Sequence, residues 1–177
     1  MNEAPDYFEP FEAWRVWKVV REGRTFRLGS VIQKTLWPTG EALTAECLRA
    51  RHRLRRVFGR HGHVAPQPPC ECGVYAAPLE HIGQYLVPAP CNGVARVLGR
   101  VALWGTVIEC ERGYRASHAY PIRIYVPADA GDPWRLAWDE IAVGLGHYRV
   151  PVELLPSRAS EASQLLLAEC QVARARP

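Results

Sequence analysis

One imidazole and two thiols lie close together in the middle of the sequence, and a third thiol precedes them. His63, Cys70 and Cys72 fall within ten residues, and Cys47 lies sixteen residues before His63. Thiolate sulfur and imidazole nitrogen in a set of four are the ligands that tetrahedral zinc takes in proteins. We therefore predict a structural zinc site within a zinc-binding segment, residues 47–72.

Three alternatives stay open for this segment. A Cys-x-Cys pair is less diagnostic than the Cys-x-x-Cys of common zinc motifs, so the thiols could be ordinary core and loop residues, and His61 is an alternative nitrogen ligand. A zinc ion with three protein ligands, a water and Glu71 as general base would instead indicate a hydrolase or deaminase. The H-x-E and P-C-x-x-C segments of zinc deaminases are absent from the chain.

Three short motifs suggest a relationship to other proteins. Residues 70–76 read C-x-C-G-[IV]-Y-A, residues 99–105 read G-x-V-x-L-W-G, and residues 113–116 read G-[YW]-R-A. In these motifs the chain resembles an uncharacterised family of bacterial proteins, over roughly residues 47–121. The resemblance implies a shared fold and supports the metal site, and it implies no activity.

Positive charge is concentrated in one stretch of the chain. The formal net charge is only +4, but residues 49–63 hold six arginines, three histidines and no acid. Arginines along one side of a helix could neutralise the phosphates of DNA or RNA, whereas the alternative is a solvated helix face. The nucleic-acid-binding residues predicted on this face are Arg49, Arg53, Arg56 and Arg60.

A second candidate surface combines aromatic and basic residues around one predicted hairpin. Aromatic rings and arginine can stack on bases, although cross-strand packing within the hairpin is the alternative. The residues we predict to contact nucleic acid here are Trp104, Tyr114, Arg115 and His118.

The pattern of apolar residues predicts several strands. Residues 13–20 alternate and are rich in aromatic and β-branched side chains, and residues 25–33 return after a turn at Gly23. Residues 94–110 and 114–126 predict a long hairpin, in which Gly99 and Gly105 indicate a bulge, a bend or close approach of another backbone. Residues 148–155 predict a short edge strand.

Three helices are predicted. Residues 41–58 carry apolar residues at helical spacing and end at Gly59. Asp132 and Pro133 provide an N-cap and a first helical residue for a second helix, whose apolar face extends to Leu145. Residues 157–175 predict a last helix. Residues 61–72 contain three prolines and predict an irregular loop.

These elements predict an α+β fold: a small, strongly curved antiparallel sheet or barrel, a helix and loop clasped by zinc, and C-terminal helices. We expect one domain over residues 1–155 and a C-terminal helix in residues 156–177 that docks on it or binds a partner protein.

Composition and motifs limit the classes of function. The N-terminus has no basic segment followed by an apolar one and no apolar run approaches a membrane span, so we expect a cytoplasmic protein without a membrane partner. There is no G-x-S-x-G, P-loop or G-x-G-x-x-G motif. The sequence favours a zinc-stabilised recognition module that binds nucleic acid over an enzyme. A protein–protein adaptor is the main alternative, and a zinc hydrolase or deaminase the next.

Overall fold

A computed structural model of the chain describes residues 6–23, 25–47, 63–82, 85, 95–128 and 138–156. These residues are mostly strand, with one short α-helix. The paired strands follow the order β2-β1-β5-β6-β3, and β4 and β7 also pair with β6. The elements are β1 (Asp6–Glu22), β2 (Thr25–Ser30), β3 (Leu43–Thr44), β4 (Val74–Ala76), β5 (Arg96–Cys110), β6 (Gly113–Ala128), α1 (Trp138–Leu145) and β7 (Val152–Pro156).

The chain divides into two compact units. The first unit is drawn from residues 1–15, 38–82 and 100–122, and the second from residues 16–37, 83–99 and 123–177. Each of the long strands β1, β5 and β6 passes from one unit into the other.

The first unit is organised by the N-terminal part of β6. Strand β3 pairs with it at Ala119 and His118, and β4 pairs with it from Ala116 to Tyr114, both antiparallel. The pairing of β4 continues into a bridge between Trp14 and Ala77, whose backbone N–H and C=O groups bond in both directions at 2.8 and 2.9 Å. The buried side chains of this unit include Ala13, Trp14, Ala76, Val101, Leu103, Val107 and Ala116.

The second unit has a core of large aromatic and aliphatic side chains. The rings of Trp17 and Trp37 pack edge to face with centroids 5.3 Å apart, and both residues are fully buried. Helix α1 packs on β2, and it buries Ile141 and Leu145. Strand β7 pairs with the C-terminal part of β6 in parallel. Parallel pairing requires a crossover connection, which the segment containing α1 supplies.

Most of the predicted strands are confirmed. Residues 13–20 lie in β1, the turn falls at Gly23 (φ +61°), and β5 and β6 form the predicted pair of neighbouring strands. Gly99 is a site of close approach, because a Cβ there would lie 2.2 Å from the carbonyl oxygen of Arg123. Gly105 has a positive φ of +72°.

The expectation of an antiparallel sheet or barrel is wrong in the direction of one strand pair, and of its two alternatives the barrel is wrong. The pairing of β6 with β7 is parallel, so the sheet is mixed. Over the described part of the chain the sheet is also not closed. Tyr148 does not begin the last strand but ends a 3-10 turn, Gly146–Tyr148, and the strand begins at Val152. Tyr148, the last residue of this turn, is fully buried, and its hydroxyl bonds to the backbone of Leu28 and Trp37. These contacts account for its position in the core rather than in an edge strand.

The helix predicted over residues 41–58 is wrong where it can be compared. Leu43 and Thr44 form β3, and the N–H of Ala45 donates to the carbonyl of Ser117 at 2.7 Å. Hydrogen bonding to β6 outweighs the helical spacing, since tertiary contacts routinely override weak local propensities. Residues 48–58, the start of the second predicted helix at Asp132, and the last helix over residues 157–175 lie outside the described residues.

The proposed division at residue 155 stays a prediction. No helix in the described ranges is long and apolar enough to cross a membrane.

Candidate metal centre

Strand β6 brings together two segments that are distant in the sequence. The first segment pairs with β6 through β3 and continues to the bond from Ala45 to Ser117. The second segment returns as β4, whose first residue, Val74, pairs with Ala116. Because Ser117 and Ala116 are adjacent in β6, the chain leaves and re-enters the sheet at one place. Cys47 follows the departure by two residues, and Cys72 precedes the return by two.

The four predicted ligands come together at this place. The ligand atoms of Cys47, His63, Cys70 and Cys72 all lie within 4.8 Å of one another. The Sγ atoms of Cys47 and Cys70 are 3.7 Å apart, and Nε2 of His63 lies 3.1 Å from Sγ of Cys72. Two sulfurs that each lie about 2.3 Å from a tetrahedral zinc are about 3.8 Å apart, and a sulfur and a nitrogen about 3.6 Å. The four residues could therefore hold a metal ion.

The ligand loop, residues 63–73, needs a glycine where it joins β4. Gly73 has a φ of +125°, which side-chain-bearing residues rarely adopt. A Cβ on Gly73 would lie 3.0 Å from Cβ of Arg115 and 3.1 Å from Cβ of Pro66. Positive φ and close packing thus both favour glycine beside Cys72. Residues 63–73 contain no helix or strand, as the prolines predict.

The position of Cys72 in this cluster raises the pKa of its thiol. Burial, together with the neighbouring Cys70 and Cys47, raises the pKa of Cys72 to about 11, although a backbone hydrogen bond from Gln67 opposes the shift. Thiolates that lie this close repel one another. A bound cation reverses this preference, because a coordinating thiol is deprotonated. In the metal-free chain the raised pKa of Cys72 therefore favours its protonated thiol, whereas a bound metal ion would favour its thiolate.

Arg115 contacts the ligand loop directly. Its guanidinium donates to the carbonyl of Cys70 and, at 3.2 Å, to the carbonyl of Cys72. Its Nε donates to Sγ of Cys110 at 3.3 Å. Burial lowers the pKa of Arg115, but its hydrogen bond to Cys110 and the negative charge that Cys110, Tyr75 and Cys72 can carry raise it on balance. The group is thus a permanent cation beside the thiols.

Further polar contacts fix the end of the loop. Arg15 donates to the carbonyl of Tyr75, and the Tyr75 hydroxyl donates to the carbonyl of Glu71 at 2.6 Å. Burial raises the pKa of Tyr75, so the hydroxyl remains a donor at neutral pH. The Glu71 carbonyl, which lies outside regular secondary structure, thus has a hydrogen-bond donor, and the Tyr75 carbonyl in β4 has one from a side chain.

Of the eight residues predicted to bind nucleic acid, four lie in the described part of the chain and four do not. The rings of Trp104 and His118 are stacked with centroids 5.9 Å apart, and both side chains are half-buried. Tyr114 packs edge-on against Phe11, with centroids 4.6 Å apart. Arg115 contacts the ligand loop as described. The remaining candidates, Arg49, Arg53, Arg56 and Arg60, and the alternative ligand His61, lie outside the described residues.

Sequence reasoning missed the role of Arg115 in the ligand loop. The contact depends on the register of β4 and β6, which places Tyr75 opposite Arg115. The short strand β4 and the long strand β6 are distant in the sequence and give no local signal of their register. The motif strings 70–76 and 113–116 are the one feature that could have linked them, because they contain the residues that pair.

Comparison of the chain with protein-family models, with characterised proteins and with solved structures gives no significant match. The site is therefore interpreted from its own geometry.

Proposed function

We propose that the chain is a zinc-stabilised recognition module. The observation that supports zinc is the approach of three sulfurs and one imidazole nitrogen within 4.8 Å, with one S–S distance of 3.7 Å. Soft ligands in a tetrahedral set favour zinc over magnesium or calcium, which take oxygen ligands. Because four protein ligands leave no open position, the arrangement supports a structural rather than a hydrolytic or deaminating zinc.

The proposed ion would join the two ends of an arginine-rich segment, residues 48–62. Cys47 and His63 are both in the ligand set, and the fifteen residues between them include six arginines and no acid. Holding both ends of a chain segment limits the conformations open to it, which lowers the entropy cost of ordering its cations on binding. Nucleic acid is the ligand class that this charge favours.

The stacked pair of Trp104 and His118 supports the same ligand class. Nδ1 of His118 lies 3.3 Å from Oγ1 of Thr44, a residue of β3 that precedes Cys47 by three positions and the arginine-rich segment by four. Half-buried aromatic rings beside basic groups are typical of surfaces on which bases stack. Arg115 contributes less to this proposal, because its guanidinium contacts the ligand loop of its own chain.

Metal content tests the first part of the proposal. Protein purified without added zinc should contain one zinc per chain by elemental analysis, and Cys70→Ser or Cys72→Ser should remove it. Cys110→Ser is the matched control, since its Sγ lies outside the four-ligand set and serine keeps an acceptor for Arg115. Sub-stoichiometric metal that Cys70→Ser leaves unchanged would contradict the proposal.

Oligonucleotide binding tests the second part. Fluorescence anisotropy with single-stranded RNA and duplex DNA should show affinity that falls at least tenfold between 50 and 200 mM salt, as expected for several phosphate contacts. Arg53→Glu with Arg56→Glu should abolish binding. The control is Lys34→Glu with Arg112→Glu, which makes the same change in net charge at two exposed residues. Equal losses in both double variants would leave only nonspecific attraction, and no binding by the wild type would reject the ligand class.

A further inference from the structure

Arg115 occupies an unusual position beside the metal centre. It lies on β6 opposite Tyr75 of β4, and β4 is the strand that immediately follows the ligand loop. One planar guanidinium makes three contacts there, with the carbonyls of Cys70 and Cys72 and with Sγ of Cys110 on β5. Two of its acceptors thus belong to proposed ligands, and the third anchors the group to a long strand.

The geometry of these contacts constrains both ligands at once. The Cys70 and Cys72 carbonyls lie in a loop without regular secondary structure. Both accept from Nη1 of Arg115, and Nε, the other prong of the guanidinium fork, donates to Sγ of Cys110 on β5. The planar fork thus holds the two carbonyls in a fixed orientation relative to β5, whereas a lysine ammonium acts as a single point charge. Holding the two carbonyls limits rotation of the peptide units next to the Cα atoms of Cys70 and Cys72. It therefore also limits the directions in which their side chains can point.

The charge of Arg115 also matches the proposed ion. A zinc ion with three thiolates and one neutral imidazole carries a net charge of −1. The guanidinium adds one positive charge within hydrogen-bond distance of two ligand residues, which brings the local sum to zero. Groups that contact metal ligands in this way commonly change metal affinity tenfold to a hundredfold when they are substituted.

We propose that Arg115 is a positioning residue of the metal centre: it orients Cys70 and Cys72 for coordination and offsets the negative charge of the thiolate set. This inference depends on the proposed zinc site. It gives Arg115 a structural task within the chain rather than a contact with nucleic acid.

Zinc affinity measured by competition with a chromogenic chelator tests this role. Arg115→Gln, which removes both charge and fork, should weaken zinc binding by about tenfold to a hundredfold. Arg115→Lys keeps the charge but loses the fork, so it should recover only part of the affinity. The control is Arg100→Gln, which removes a half-buried arginine paired with Glu12 in the same unit. It should leave affinity within about twofold.

The pH at which zinc is released separates charge from geometry. Loss of a nearby positive charge makes the thiolates easier to protonate, so Arg115→Gln should release zinc at a higher pH than the wild type. Arg115→Lys should release it at a pH close to that of the wild type. The cobalt-substituted proteins should show altered thiolate-to-cobalt absorption in both Arg115 variants, because the ligand geometry changes, and unaltered absorption in Arg100→Gln.

The outcomes distinguish this inference from the proposal on which it rests. Wild-type protein that holds no zinc rejects both. A wild type that holds one zinc, with Arg115→Gln and Arg100→Gln equal in affinity and in release pH, overturns the inference alone. If Arg115→Gln does not fold, an Arg115→Lys variant with wild-type affinity and cobalt spectrum overturns it as well. Arg115→Lys could also lower Tm relative to the wild type by the same amount with and without chelator. That result would show a role in folding alone and would also overturn the inference.

Discussion

The Sγ atoms of Cys47 and Cys70 lie 3.7 Å apart although the residues are twenty-three positions apart in the sequence. A disulfide requires about 2.05 Å, so this separation is too long for a covalent bond and suits two ligands of one tetrahedral ion. The approach follows from the register of β3 and β4 on β6. Ala45 bonds to Ser117 and Val74 pairs with Ala116, so the residues that lead to Cys47 and those that follow Cys70 reach adjacent positions of β6.

Removal of the metal should lower thermal stability. A ligand that binds only the folded state at a free concentration of one hundred times Kd adds about 2.7 kcal/mol. In a chain of this size 1 kcal/mol shifts Tm by about 2–4 °C, so chelation should lower Tm by about 5–11 °C. Calorimetry with and without chelator measures the change.

With or without chelator, the Cys47→Ser variant should have a Tm as low as that of the chelated wild type, since it cannot complete the ligand set. Cys110→Ser should keep a fall in Tm on chelation, since its Sγ lies outside the ligand set. A chelator-independent Tm in the wild type would contradict a stabilising metal.

Alkaline pH should destabilise the metal-free chain selectively. The pKa of Cys72 is raised from 9.0 to about 11 in the folded chain, mainly by burial. The folded state thus holds a proton that the unfolded state loses, and this contribution to stability is complete below pH 9 and is lost as the pH rises through about 11. The urea midpoint of stripped protein should therefore fall over this interval.

Zinc-loaded protein should lack this fall, because coordinated thiolates carry no proton to lose. The stripped Cys72→Ser variant should show a smaller fall than the stripped wild type. A steeper fall in the loaded protein than in the stripped protein would contradict the prediction.

Substitution of Gly73 should weaken both the fold and the metal site. Gly73→Ala introduces a Cβ at a φ of +125° and within 3.1 Å of Arg115 and Pro66. Backbone strain of this kind costs about 1–3 kcal/mol, and the contacts add to it. Gly40→Ala is the matched control, since Gly40 has a φ of +78° but no atom near its added Cβ.

Urea unfolding should place Gly73→Ala below Gly40→Ala in stability, and chelator competition should show weaker zinc binding in Gly73→Ala alone. Equal losses in the two variants would mean that the packing of Gly73 against Arg115 has no effect of its own.

The sequence predicted which residues form the Cys/His cluster better than it predicted the elements that position them. Ligand type is a property of the residues themselves, so Cys47, His63, Cys70 and Cys72 could be chosen without a fold. The helix predicted over residues 41–58 is wrong at residues 43–45, because apolar spacing takes no account of hydrogen bonding to β6 at Ser117. Strand pairing between distant segments, including the parallel pair of β6 and β7, depends on tertiary contacts that periodicity does not encode.

Tyr148 provides a test of the second unit that is independent of the metal. Its hydroxyl accepts a hydrogen bond from the N–H of Leu28 at 3.0 Å and donates to the carbonyl of Trp37 at 2.9 Å, and the residue is fully buried. Tyr148→Phe leaves the Leu28 N–H without this acceptor, whereas the Trp37 carbonyl keeps a bond from Arg27 at 2.8 Å. An unsatisfied buried donor costs about 1–3 kcal/mol.

The expected result is a Tm about 2–12 °C below that of the wild type by calorimetry, with zinc content unchanged. Tyr120→Phe is the control, because the Tyr120 hydroxyl accepts a bond from the Gly40 N–H at 3.0 Å in an exposed position, where water can replace it. That variant should lose less than Tyr148→Phe. Equal stability of the two variants would show that the buried bond to Leu28 contributes no more than an exposed one.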